Sequence, residues 1–148
     1  MAVLRDTIED GRLRRLLDYW EGRRGSRTMP ARRDIDPVEI GFALGYILLI
    51  DVRHDPLRFR FRLVGTHTPR RQGIDLTGVW LDDLPLPEVR AAMQASYAEV
   101  VAARAPSRVV RDEVRDDLRL RWEVLRLPLA ADGETVDMLM IGVIERPA

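Results

Sequence analysis

Asp82-Asp83 and Asp116-Asp117 are adjacent carboxylates, Ser96 and Ser107 are hydroxyls that a base could activate, and His54 and His67 are the only histidines. Side-chain catalysis needs a nucleophile with a base in reach, or two carboxylates converging on a cleft. Both acid pairs fall in predicted turns, and no motif sets a histidine beside either serine. Lysine and cysteine are absent, which excludes Schiff-base and thiolate chemistry, disulfides and Cys-ligated metals. The histidines stand at no metal-like spacing. The sequence therefore predicts neither a catalytic residue nor a metal centre, and points to a binding or signalling module rather than an enzyme.

All 24 cations are arginine, balanced by 24 Asp and Glu. Each is a planar fork suited to carboxylates. The zero net charge argues against a nucleic-acid binder, which usually carries a basic excess. At 148 residues, 46% hydrophobic and 32% charged, the chain suits a soluble globular fold. The longest apolar run, around Tyr46 to Ile50, is far too short for a bilayer, and the charged N-terminus is no secretory signal. A cytoplasmic protein without membrane contact is expected.

The elements that must position any site follow from periodicity. Leu13, Leu16, Leu17 and Trp20 recur at helical spacing within residues 7–23, with Thr7 and Asp10 as a weak capping box. Asp34-Ile35-Asp36-Pro37 predicts a short helix capped by Asp36. Tyr46–Val52 reads as a central strand and Arg58–Thr66 as its hairpin partner. In that partner Phe59, Phe61 and Leu63 share one face, and Arg58, Arg60 and Arg62 the other. Gly73-Ile74-Asp75-Leu76-Thr77-Gly78 has turn chemistry. Glu88–Arg104 is the best helix, preceded by Pro87 and ended by Pro106. Arg108–Val114, Leu118–Leu129 and Thr135–Ile144 read as three further strands. Arg119, Arg121 and Glu123 lie on the opposite face of the second of these, which is either solvated or partly covered by the N-terminal helix. This order predicts an α+β fold with a five-stranded antiparallel sheet and helices on one face. Residues 1–33 are expected to form an N-terminal helix and connector, and residues 34–148 the domain proper.

Trp20, Asp34-Ile35-Asp36-Pro37, Tyr46 to Val52, Phe59 to Thr66, Asp75-Leu76-Thr77-Gly78 and Leu127-Pro128-Leu129 together resemble a bacterial family of short, stand-alone PAS-like proteins. The resemblance runs from about Leu13 to Ile144. It implies a PAS fold that senses through a small pocket or through dimerisation, and it supplies no catalytic residues.

PAS modules hold several cofactors, and each makes demands of the sequence. Flavin photosensors need a Cys and amide side chains, and coumarate photosensors need a Cys; this chain has neither Cys nor Asn. Haem sensors take a His on or near the long helix, and that helix has none. No cofactor is expected. A non-covalent small organic ligand between sheet and long helix is. Its candidate lining is Met93, Tyr97, Trp80, Trp122 and Met140, with His67 and Arg71 as polar groups. Leu13, Leu16, Leu17 and Trp20 are the candidate interface of a homodimer, since such a stripe must be buried somewhere. Because the chain stops soon after the last strand, a signal is expected to pass to a separate partner protein. The alternative is a ligand-free structural interaction module.

Overall fold

The computed structural model describes residues 2–67 and 76–148. Helix α1 spans Ala2–Thr7 and α2 spans Gly11–Arg24. The single helix expected over 7–23 is broken by its own caps. The Thr7 hydroxyl turns back to the Leu4 carbonyl. Asp10 is extended, and its carboxylate accepts from the backbone N–H groups of Arg12 and Leu13, so it starts a new helix. Gly25, at φ 60°, ends α2.

The helix expected at Asp34-Ile35-Asp36-Pro37 does not form. A 3-10 turn occupies Arg32–Asp34, turns follow, and a second 3-10 turn spans Leu44–Tyr46. The Asp34 carboxylate is taken by the Ala31 N–H and by Arg27, both at 2.8 Å. Asp36 is left to hold only the turn at Val38.

Five strands follow: β1 (Ile47–Arg53), β2 (Arg58–Val64), β3 (Ser107–Arg115), β4 (Leu118–Leu129) and β5 (Met138–Pro147). They form one antiparallel sheet in the order β2-β1-β5-β4-β3, the expected architecture. Helix α3, Pro87–Ala103, starts on a proline that lacks only an N–H the first turn would leave unbonded. Asp116 and Asp117, at φ 51° and 65°, make the two-residue β3–β4 turn, whose strand twist requires positive φ at both positions. That acid pair therefore bends a hairpin. In the other, Asp82 is tied to Arg58 at 2.8 Å, which holds its carboxyl below the usual range.

The sheet is covered on both faces. Helix α3 lies on one, where Tyr97 meets Phe59 edge-on at 5.5 Å. Helix α2 lies on the other. Gly142 lets it approach: a Cβ there would stand 2.6 Å from Leu13 Cδ2. The Trp20 indole N–H donates to the Pro128 carbonyl at 2.8 Å. Leu13, Leu16, Leu17 and Trp20 are all buried in this one chain, within the same core cluster as the sheet. They leave no surface for the dimer expected through them, because their partner is the back of their own sheet.

Arg62 and Leu63 of β2 break the simple alternation. The β1–β2 register shifts so that Phe61 faces Ile50 while Leu63 faces Leu49, and Arg62 bulges out. Leu63 therefore turns away from the face of Phe59 and Phe61. Glu123, on the face that could be solvated or covered, is covered: it is 1% exposed. It accepts from the backbone N–H groups of Glu9 and Asp10 at 2.8 and 2.9 Å, and from Arg108 at 2.6 Å. The arginines of β2 are paired rather than a bare cationic face: Arg60 reaches Asp51 at 3.0 Å, and Arg62 stands 3.9 Å from the same carboxylate.

Gly65 ends the β2 motif because the chain passes close to Gly45. A Cβ on Gly65 would stand 2.4 Å from the Gly45 carbonyl oxygen. Backbone cannot yield as a side-chain tip can, so Gly65→Ala is expected to cost at least about 3 kcal/mol, the upper range of overpacking. Urea denaturation measures this, and a loss below about 1 kcal/mol would show that the approach is looser.

Candidate functional site

A cavity of about 170 Å³ lies between α3 and the sheet. Leu48 of β1, Ile141 and Val143 of β5 and Val124 of β4 form its floor, and Met93 and Tyr97 of α3 its roof. The period of two along β4 sends Trp122, Val124 and Arg126 to this face and Glu123, Leu125 and Leu127 to α2. Ala92 and Arg111 are the exposed lining residues and mark its mouth.

Arg126 is the unusual member, a cation only 5% exposed. Its Nε donates to Ser107 Oγ at 3.0 Å, and its Nη1 donates to the Ser96 carbonyl at 2.9 Å and to the Ser96 hydroxyl. It thus joins α3, β3 and β4. Burial pushes its guanidinium below the usual arginine range, against the opposing pull of Glu99 and Tyr97. Arginine's intrinsic basicity keeps it charged at neutral pH. Trp122 packs its ring under the Arg111 guanidinium, 5.0 Å from the ring centroid.

Of the residues predicted to line a pocket, the structure brings Met93, Tyr97 and Trp122 together. Met140 pairs with Leu127 and Leu49, so it points to the α2 face, one residue out of phase with Ile141. Trp80 is bridged to Arg60 at the sheet edge, where Arg58 covers its ring at 4.0 Å. His67 is exposed and stacks on Tyr46, ring centroids 5.0 Å apart. Arg71 lies outside the described residues, as do Gly73, Ile74 and Asp75.

Sequence reasoning weighed Ser96 only as a nucleophile and missed Arg126. The signal was present: the alternation Leu118, Leu120, Trp122, Val124 continues to Arg126.

A wider hollow of about 370 Å³ beside Trp20 is lined by Arg24, Arg27 and Arg104. Each is already paired, with Glu21, Asp34 and Glu134 respectively. Among the described residues no group of three or more His, Cys, Asp or Glu could hold a metal ion, and no helix is long and apolar enough to cross a membrane.

The fold has a solved counterpart. The chain is similar to the crystal structure of a sensory box sensor histidine kinase from Vibrio cholerae, with a TM-score of 0.52 and 14% identity, covering 75% of this chain and 91% of that one. It is also similar to a structure of an RsLOV variant, with a TM-score of 0.46 and 14% identity over 75% of this chain and 69% of that one. The first is a likeness of fold. No curated protein matches the sequence. The family model of the PAS domain matches residues 9–145, taking in α2, the whole sheet core and α3, and the chain belongs to the PAS domain family.

Proposed function

We propose that this chain is a sensory module that holds a small organic molecule non-covalently between α3 and the sheet. The observation that carries this reading is the cavity itself. It is apolar over most of its wall and has a buried cation at one end, the form that small-molecule sites usually take. Its position suits a sensor, because Arg126 ties Ser96 of α3 to β4 from inside the cavity wall. A molecule that takes up Arg126 changes how firmly α3 is held. The acid pairs support a binding role over catalysis, since one bends a hairpin and the other is engaged by Arg58.

Thermal-shift screening with small acids, amides and neutral aromatics tests the reading. A ligand at a hundred times its Kd stabilises by about 2.7 kcal/mol, which for a domain of this size raises Tm by about 5–11 °C. Val124→Phe fills the cavity and is expected to abolish that rise. A full screen without any shift would overturn the reading.

A further inference from the structure

Two residues that carry polar groups, Trp122 and Arg126, line the cavity. Trp122 and Arg126 are four residues apart on β4, about 13 Å along the strand, with Val124 between them. At the Arg126 end, Nε and Nη1 are fully used by Ser107 and Ser96. Nη2 makes no hydrogen bond among the described residues; its nearest carboxylate oxygen, on the exposed Glu99, is 4.0 Å away. A guanidinium has five N–H donors in a fixed fork, so the two on Nη2 remain uncommitted. At the other end, Trp122 is 8% exposed, and its Nε1 is buried without a hydrogen-bond partner among the described residues. A buried donor left unpaired is costly, and most native ones have an acceptor. Among the described residues the lining contains two arginines and no carboxylate.

We propose that the ligand is a small carboxylate with an apolar body and a second hydrogen-bond acceptor at its far end. The carboxylate lies on Arg126 Nη2, and the acceptor lies on Trp122 Nε1. This rests on reading the cavity as a ligand site. The charge follows from a buried cation whose Nη2 makes no hydrogen bond and from a lining without a carboxylate among the described residues, and arginine binds carboxylates through short charge-assisted hydrogen bonds. The size follows from the volume. A cavity of roughly 150 Å³ admits benzene, so about 170 Å³ admits one ring or its aliphatic equivalent, with small groups at each end.

Isothermal titration of the full chain with 4-hydroxybenzoate, benzoate and their amides, 4-hydroxybenzamide and benzamide, tests the assignment. Each acid is expected to bind about ten- to a hundredfold more tightly than its amide. Arg126→Gln is expected to erase that preference. Trp122→Phe removes the N–H and keeps an aromatic ring. It is expected to weaken 4-hydroxybenzoate roughly three- to tenfold relative to benzoate. Should Arg126→Gln fail to fold, the acid-to-amide ratio of the unaltered protein and the Trp122→Phe result still decide. Amides that bind as tightly as acids overturn the anion assignment and leave the ligand cavity standing. If acids, amides and neutral aromatics all fail to bind, both fall.

Discussion

Trp20→Ala is expected to destabilise the protein by about 3–5 kcal/mol, the range for removing a large aromatic side chain from a core. The ring is 1% exposed, at the end of α2 that lies against β4. Its N–H bonds the Pro128 carbonyl, so truncation opens a cavity and also leaves that acceptor unpaired. Against a total stability of about 5–15 kcal/mol, the loss is large. For a chain of this length it corresponds to a fall in Tm of about 6–20 °C. Urea unfolding followed by far-UV circular dichroism measures it. Tryptophan fluorescence is unsuitable, since the substitution removes one of three reporters. Trp20→Phe keeps most of the apolar contact and is expected to lose about 1–3 kcal/mol, chiefly through the unpaired carbonyl. A Trp20→Ala protein as stable as the original would mean that α2 does not dock on the sheet in solution.

Glu123→Ala is expected to cost a further large amount, about 3–5 kcal/mol, because it breaks a buried charge pair and strands its partners. The carboxylate holds three donors at once: two backbone N–H groups just before α2, and Arg108 of β3. Glu123→Gln should fall between, since an amide keeps one acceptor but turns a donor towards the N–H groups. Hydrogen exchange at residues 9 and 10 separates the contributions. It is expected to speed up strongly in Glu123→Ala and only slightly in Arg108→Ala, which leaves the carboxylate on both backbone groups. Equal effects of the two substitutions would show that the ion pair, rather than the helix-start bonds, fixes this corner.

Periodicity carried most of the fold, and the exceptions are physical. Strand β5 is apolar on both faces, so nothing in Met138 to Ile144 tells that Ile141 lines the cavity while Met140 faces α2. Leu63 obeyed the alternation until the register shifted at Leu49 and Ile50, a shift with no mark in residue type. Glu123 could be read as solvated or covered, because it alternates with apolar residues beside Arg119 and Arg121. Its burial depends on α2 returning from more than a hundred residues away to close over it. Asp36 looked like a helix cap, and its carboxylate does accept from the Val38 N–H, but the chain beyond it forms successive turns rather than a helix. The site was half legible. Met93, Tyr97 and Trp122, singled out by type and spacing, do line the cavity, whereas Arg126 was overlooked because a cation on a strand is usually at the surface.

The bulge at Arg62 also bears on solubility. The sheet is open, and its outer strands are β2 and β3. An unpaired strand edge is a template on which another chain can grow a cross-molecular ladder. On β2 the misplaced register is joined by a short lid, in which Phe61 N–H donates to the Val79 carbonyl and Gly78 N–H to the Phe61 carbonyl. The outer hydrogen-bonding groups of Phe61 are thereby capped. On β3 the defence is charge, with Arg111, Asp112, Glu113 and Arg115 near the exposed end. Both margins of this sheet therefore resist strand addition and the aggregation that follows from it.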